Sequence, residues 1–174
     1  KKHPYKPWVL NINSRITLVT TLTLTIIGTI GFFISEYHNV LADHHGIGKF
    51  ITALFGATTP RTAGFNTIDM SALSFSTVMM IFLLMWVGAS PASTGGGIKT
   101  NTFAIAILNF ISLAKGKDKI EIYRREIADI SVRRAFAVIS LSLFVIGLAV
   151  MLISVFDKEK SLLDIAFECF SAYS

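Results

Sequence analysis

Residues 16–33 and 135–156 carry no charged side chain over 18 and 22 positions. As helices they would extend ~27 and ~33 Å, about the thickness of a ~30 Å hydrocarbon core. Few other structures suit such segments, because inside a bilayer every backbone polar group must be bonded within the protein. Composition agrees: 52% of the 174 residues are hydrophobic and 16% are charged, which is oilier than an ordinary soluble domain. The expected fold class is all-α and integral to a membrane.

The formal charge of +5 does not point to nucleic acid, because the basic residues form no stripe between aromatics. Lys1, Lys2, Lys6 and Arg15 precede the first apolar stretch; Lys115, Lys117, Lys119, Arg124, Arg125, Arg133 and Arg134 precede the second. The positive-inside rule then makes residues 1–15 and 114–134 cytoplasmic and residues 35–49 and 157–164 external. A cleaved signal is a poor reading of the first stretch, since no small-residue site follows it and further membrane segments do. The single cysteine, Cys169, leaves no internal disulfide. His38, Asp43, His44 and His45 could approach a metal, but they lack an i, i+4 histidine pair with a third helical ligand.

Between the two stretches lie shorter apolar runs. Residues 48–57 (GKFITALFGA) are too short to cross, and residues 58–66 (TTPRTAGFN) contain the proline and glycine that stop a helix. A short helix with a non-helical return predicts a re-entrant loop entering from outside; a surface helix with an external loop is the alternative. Residues 73–113 are apolar for about 40 positions, ~60 Å as helix, and must break. The break falls at residues 88–97 (GASPASTGGG), which hold one proline and four glycines. Residues 120–130 (IEIYRREIADI) alternate acids and bases, predicting a short interfacial helix, and residues 161–170 (SLLDIAFECF) repeat the short-helix pattern. Residues 1–113 thus read as one complete helix, pore-loop, helix repeat with a broken second helix. A connector follows at 114–131, and 132–174 read as the first two thirds of another such repeat, as in a piece of a longer protein.

Potassium sheds its water only where rigid oxygens replace it, and backbone carbonyls supply these without importing charge. The candidate filter is Thr62, Ala63, Gly64 and Phe65, with Arg61, Asn66 and Ser174 flanking it. Arg61 reads either as a clamp behind the filter or as a snorkelling or carboxylate-paired arginine. Asp69, just beyond, could concentrate cations or simply be solvated. The candidate gate is the loop of Gly88, Ala89, Ser90, Pro91, Ala92, Ser93, Thr94, Gly95, Gly96 and Gly97, with Lys99 bonded to an acid or carbonyls nearby, or snorkelling. Its glycines and lysine do not make a phosphate-binding loop, because Ile98 separates Gly97 from Lys99 and no strand precedes. Two other functions remain open: transport of another solute at the broken helix, and an intramembrane enzyme using Ser90, Ser93 or Lys99, for which no paired base is evident. Glu168 and Cys169 suit packing or pairing, and the threonines of the first span suit bonds to backbone or to adjoining helices.

The segment GATTPRTAGFNTID, followed at this distance by GASPASTGGGIKTNTF, resembles the Trk/Ktr/HKT superfamily of potassium transporters over nearly the whole chain. The resemblance implies the third repeat and the start of the fourth in a membrane subunit of the Ktr type. Four unequal loops would each give a glycine to one filter, Gly64 being the third. A single glycine, where tetrameric channels have two, implies looser selectivity and some sodium leakage. The broken helix would gate permeation. The resemblance further implies potassium as the ion, with sodium as a candidate coupling ion, and no nucleotide on this chain. Implied partners are the remaining repeats, a second copy of the subunit, and a cytoplasmic RCK-type ring that responds to ATP and ADP. The setting is a bacterial cell membrane, crossed several times. The basic connector would dock that ring or face anionic lipid.

Overall fold

The computed structural model describes residues 11–65, 67–116, 120–122 and 125–174. The first apolar stretch lies inside helix α1, Ile12–Glu36, 25 residues long. Thr17, Thr21, Thr25 and Thr29 recur every fourth position and share one face of it. Hydroxyls in an apolar helix turn back on their own backbone. Thr25 Oγ1 donates to the Thr21 carbonyl at 2.9 Å, and Thr29 Oγ1 to the Thr25 carbonyl at 2.7 Å. Leu22, Ile26, Ile30 and Ile34 are exposed, an apolar surface suited to lipid or to other membrane helices.

Helix α2, Ile47–Thr58, has 12 residues and is too short to cross a bilayer. Small residues let it lie close against α1: Ala53 and Ala57 are fully buried, and the Phe32 ring occupies the space where a Cβ on Gly56 would stand, 2.8 Å from Cζ. The long apolar run that follows is broken into α3, Phe75–Trp86, and α4, Thr100–Ala114. The interruption, residues 87–99, extends slightly beyond the glycine-rich segment at each end. Helix α3 is central. Its Ile81 and Met85 join Phe32, Leu41 and Ala53 in the core, and Phe82 stacks on Phe170 with centroids 4.9 Å apart.

The second apolar stretch lies in α5, Asp129–Phe156, 28 residues, which starts early enough to hold Arg133 and Arg134 in its first turns. Helix α6, Leu162–Tyr173, repeats the short-helix pattern. Ser161 caps it, its Oγ accepting from the Asp164 amide at 3.2 Å. Trp86 Nε1 donates to Ser142 Oγ at 3.0 Å, pinning the end of α3 to α5.

The connector corrects one expectation. Instead of a helix over 120–130, its described residues form a two-stranded antiparallel ladder, β1 Glu121–Ile122 against β2 Arg125–Glu126. The Ile127 amide extends it by donating to the Ile120 carbonyl at 3.0 Å. The physical reason lies in length and pattern. A helix this short is marginal, whereas isoleucine at 120 and 122 alternates with the period of a strand and is β-branched. Every other regular element among the described residues is helical.

At the other end of α1, Glu36 is fully buried. Its carboxylate accepts from Ser74 N at 2.9 Å, Ser74 Oγ at 2.6 Å and Asn39 Nδ2 at 2.7 Å, and from the Thr77 hydroxyl. One side chain thus ties the end of α1 to the start of α3.

Candidate functional site

Three segments meet beside α3: the turn after α2, the break between α3 and α4, and the end of α6. The turn begins as a wide helical coil at Thr59–Ala63, closed by the Gly64 amide donating to the Thr59 carbonyl at 3.2 Å. Inside it the backbone leaves helical geometry. Thr62 has φ 70° and ψ 2°, and Gly64 has φ 70° and ψ 8°, while Ala63 between them keeps the usual negative φ. Residues alternating in hand set successive peptide dipoles side by side instead of opposed.

Gly64 is needed for its dihedral angle, since a Cβ there would meet nothing within 4 Å. Thr62 has no such excuse. A β-branched residue at positive φ is strained by ~1–3 kcal/mol and persists only where its surroundings hold it. Here Thr62 Oγ1 donates to the Ser174 carbonyl at 2.9 Å, and Ser174 Oγ returns a bond to the Pro60 carbonyl at 2.9 Å. Thr59 Oγ1 donates to the Phe65 carbonyl at 2.9 Å. Among the described residues, nothing donates to the carbonyls of Thr62, Ala63 and Gly64. A cavity of about 370 Å³ opens beside Thr62 and Gly64, lined also by Thr59, Pro60, Met70, Met85, Phe167, Ser171 and Ser174. Phe65 is 70% exposed, and Asn66 lies outside the described residues.

Arg61 turns away from that cavity. Nη2 donates to the Gly88 carbonyl at 3.3 Å, and Nη1 approaches Thr25 Oγ1 at 3.4 Å. It is therefore a clamp joining the turn to the first glycine of the break and to α1, with no carboxylate partner in that set.

The break is a folded loop. The Ile98 amide donates to the Trp86 carbonyl at 2.9 Å and the Thr100 amide to the Ala89 carbonyl at 3.2 Å, closing its base. The closure leaves no room for side chains, as a Cβ on Gly88 would stand 2.0 Å from the Gly96 carbonyl oxygen. At the tip, Ser93 N and Oγ both donate to the Ser90 carbonyl, at 3.2 and 2.7 Å. Lys99 Nζ donates to the carbonyls of Gly95 at 2.6 Å and Ser93 at 3.2 Å. Of the alternatives for Lys99, carbonyl pairing is the one found. Gly96 and Gly97 donate their amides to the carbonyls of Ser174 and Tyr173, each at 2.9 Å. The loop thus caps α6, and Gly95 lies against Thr62, whose Oγ1 would be 3.0 Å from an added Cβ. Pro91 and Thr94 are exposed, and Ala92 sits at φ 66°.

These contacts bring together nearly all the filter and gate residues expected from sequence. Of the residues considered for nucleophilic chemistry, Ser93 Oγ and Lys99 Nζ are donors to backbone carbonyls. The outlying candidates separate from the site. Asp69 accepts from Ser71 N at 2.9 Å and Ser71 Oγ at 2.7 Å, which holds its carboxyl below the ordinary value. Glu168 pairs with Lys160 at 3.0 Å and raises the Lys160 ammonium above its usual value, with Asp157 adding a smaller push. Among the described residues no group of three His, Cys, Asp or Glu could hold a metal. Glu36 was not anticipated from sequence. An acid at the end of an apolar stretch reads as a solvated helix end, and its partners Ser74 and Thr77 are 38 and 41 residues away.

The whole chain, residues 1–174, matches the TrkH family, described as cation transport protein. Among curated relatives, the chain is 36% identical over 165 residues to a Ktr system potassium uptake protein B of Bacillus subtilis (strain 168), covering 94% of this chain and 37% of the relative. It is 30% identical over 167 residues to the Ktr system potassium uptake protein B of Vibrio alginolyticus, covering 95% and 36%. It is 32% identical over 168 residues to the potassium/sodium uptake protein NtpJ of Enterococcus hirae, covering 94% and 37%. The chain therefore spans little more than a third of the length of these relatives.

Proposed function

The chain belongs to the TrkH family of cation transport proteins, and from that membership and the strained turn at Thr62–Gly64 we propose that it forms one wall of a potassium uptake pathway in a cell membrane. The observation that carries the reading is the alternating backbone at 62–64. Thr62 and Gly64 line an open cavity, and the strained threonine is tied to the end of the next short helix. Thr62, Ala63, Gly64 and Phe65 line the filter, flanked by Arg61, Asn66 and Ser174. Helices α1 and α5 cross the bilayer, α2 and α6 enter it from outside, and residues 1–15 and 114–134 face the cytoplasm. The full filter draws on further loops of the same kind, in line with the relatives' greater length.

The loop from Gly88 to Gly97, with Lys99 holding its carbonyls, is the gate. It lies against Thr62 and holds no large side chain, so it can move with little side-chain clash. Potassium is the substrate, and sodium is admitted or coupled to a lesser degree; the Enterococcus relative is named for both ions. A second copy of the subunit and a cytoplasmic nucleotide-binding ring of the RCK type complete the system, the ring docking at the basic connector.

Gly64→Ser in the full-length protein tests the reading. At unchanged surface abundance it lowers potassium uptake, or potassium preference over sodium, because the left-handed backbone at 64 is opposed by a Cβ. Unchanged flux and selectivity would overturn the filter assignment.

A further inference from the structure

We propose that Glu36 is a positioning residue for the ion filter: it holds the limb that returns from the filter turn to α3, and through that limb it fixes the outer side of the Thr62–Gly64 cavity. The proposal rests on the filter reading above. The described part of that limb, residues 67–74, has little structure of its own. It contains one short turn, Met70–Ala72, closed by the Ala72 amide on the Asp69 carbonyl at 3.3 Å. Leu73 and Ser74 are extended, with ψ 144° and 150°. Ile68, Met70 and Leu73 rest on the core around Phe32 and Met85, but apolar contact alone does not fix register.

The polar bonds do. Glu36 accepts from both the amide and the hydroxyl of Ser74, at 2.9 and 2.6 Å, where the limb ends and α3 begins. Its other oxygen accepts from Asn39 Nδ2 at 2.7 Å, and that same amide nitrogen donates to the Ala72 carbonyl at 2.6 Å. The limb is thus gripped at Ala72 and at Ser74, and Met70 between these grips and the filter lines the cavity with Thr62 and Gly64. Each carboxylate oxygen faces an obligate donor, the Ser74 amide on one and Asn39 Nδ2 on the other, an arrangement that suits the ionised form. The N-terminal end of the α3 dipole favours that charge as well.

A buried charge is a poor device for stability alone, since apolar side chains of similar volume often do as well or better. What it supplies is a fixed arrangement of several donors. The carbonyls of the filter turn need such a fixed frame, because selection between potassium and sodium depends on where the oxygens stand.

The test uses the full-length protein with four variants, Glu36→Gln, Glu36→Asp, Asn39→Ala and Gly64→Ser, each measured for surface abundance, potassium KM, maximal uptake rate and potassium-over-sodium preference. Glu36→Gln keeps the shape and loses the charge; it is expected to lower the preference and raise the potassium KM by about twofold to thirtyfold, the range seen when residues that act on a site without touching its ligand are changed. Asn39→Ala, an exposed side chain, moves both quantities the same way by less. Glu36→Asp retains the carboxylate and stays closer to the unaltered protein than Glu36→Gln. If Glu36→Gln fails to reach the surface, Asn39→Ala decides alone. Unchanged preference and KM in the surface-expressed variants, with Gly64→Ser altering them, would make Glu36 a helix joint only and overturn the proposal. Unchanged values in all of them would overturn the filter reading itself and this proposal with it.

Discussion

The guanidinium of Arg61 donates to the carbonyl of Gly88 at 3.3 Å, so the turn after α2 and the loop that breaks the next helix are joined by one side chain. Arg61→Gln removes the charge and shortens the reach while keeping a donor. A hydrogen bond to a charged group is worth ~1.5–3 kcal/mol, and its loss should release the loop in at least part of the population. Basal rubidium uptake in the absence of any activating ligand is expected to rise by about tenfold or more at unchanged abundance. Basal uptake equal to that of the unaltered protein would show that Arg61 does not hold the loop shut.

Removing residues 92–96 takes away the Gly95 carbonyl that Lys99 holds and the Gly96 amide that caps α6. Basal flux should then rise. Lys99→Met is the milder form: it keeps an unbranched apolar stem and deletes the ammonium, so the loop loses two bonds and no residues. It should raise basal flux less than the deletion does. Flux unaltered by both changes at normal surface abundance would mean that the loop is a packing break and no gate.

The two long helices, the short helix after each first span and the position of the break were legible because each follows from one local quantity: apolar length, or the density of glycine and proline. The glycine at position 64 announced a special dihedral for the same local reason. The strain at Thr62 was not legible, because nothing in a threonine's identity says that Ser174, far along the chain, will hold it at positive φ. Glu36 was hidden in the same way, its four donor groups coming from Asn39 nearby and from the distant Ser74 and Thr77. The connector was misread because its acids and bases fit a helix while its isoleucines fit a strand, and over so few residues the strand pattern prevails.

Asp69 is bonded to the amide and hydroxyl of Ser71, which lowers its carboxyl below the ordinary value. A folded-state value below the unfolded one gives stability that is present above the unfolded value of ~3.9 and lost as pH falls through the folded one. The Asp69 charge is therefore constant from about pH 5 to pH 8, and Asp69→Asn should leave the shape of the uptake–pH profile unchanged across that range. If this carboxylate concentrates cations at the outer mouth, the same variant lowers uptake at low ionic strength and the difference fades near 0.15 M salt, where the screening length is ~8 Å. A difference that persists at high salt would place Asp69 in direct contact with the ion.

Gly96 and Gly147 give opposite predictions for the same substitution. At Gly147, in the exposed middle of α5, an added Cβ meets nothing within 4 Å, so Gly147→Ala gains helix propensity and should raise stability by ~0.5–1 kcal/mol without altering transport. At Gly96 the added Cβ would stand 2.5 Å from the Ser174 carbonyl oxygen and 2.7 Å from that of Tyr173. Both obstacles are backbone, so neither can swing aside. Gly96→Ala must lift the loop from the end of α6, breaking the bonds from Gly96 and Gly97 that cap it. Thermal unfolding in detergent, with rubidium flux in vesicles, should show a lower midpoint and a higher basal flux for Gly96→Ala, and the reverse midpoint shift with normal flux for Gly147→Ala. If Gly96→Ala leaves both quantities unchanged, the docking of the loop on α6 has no part in holding the pathway closed.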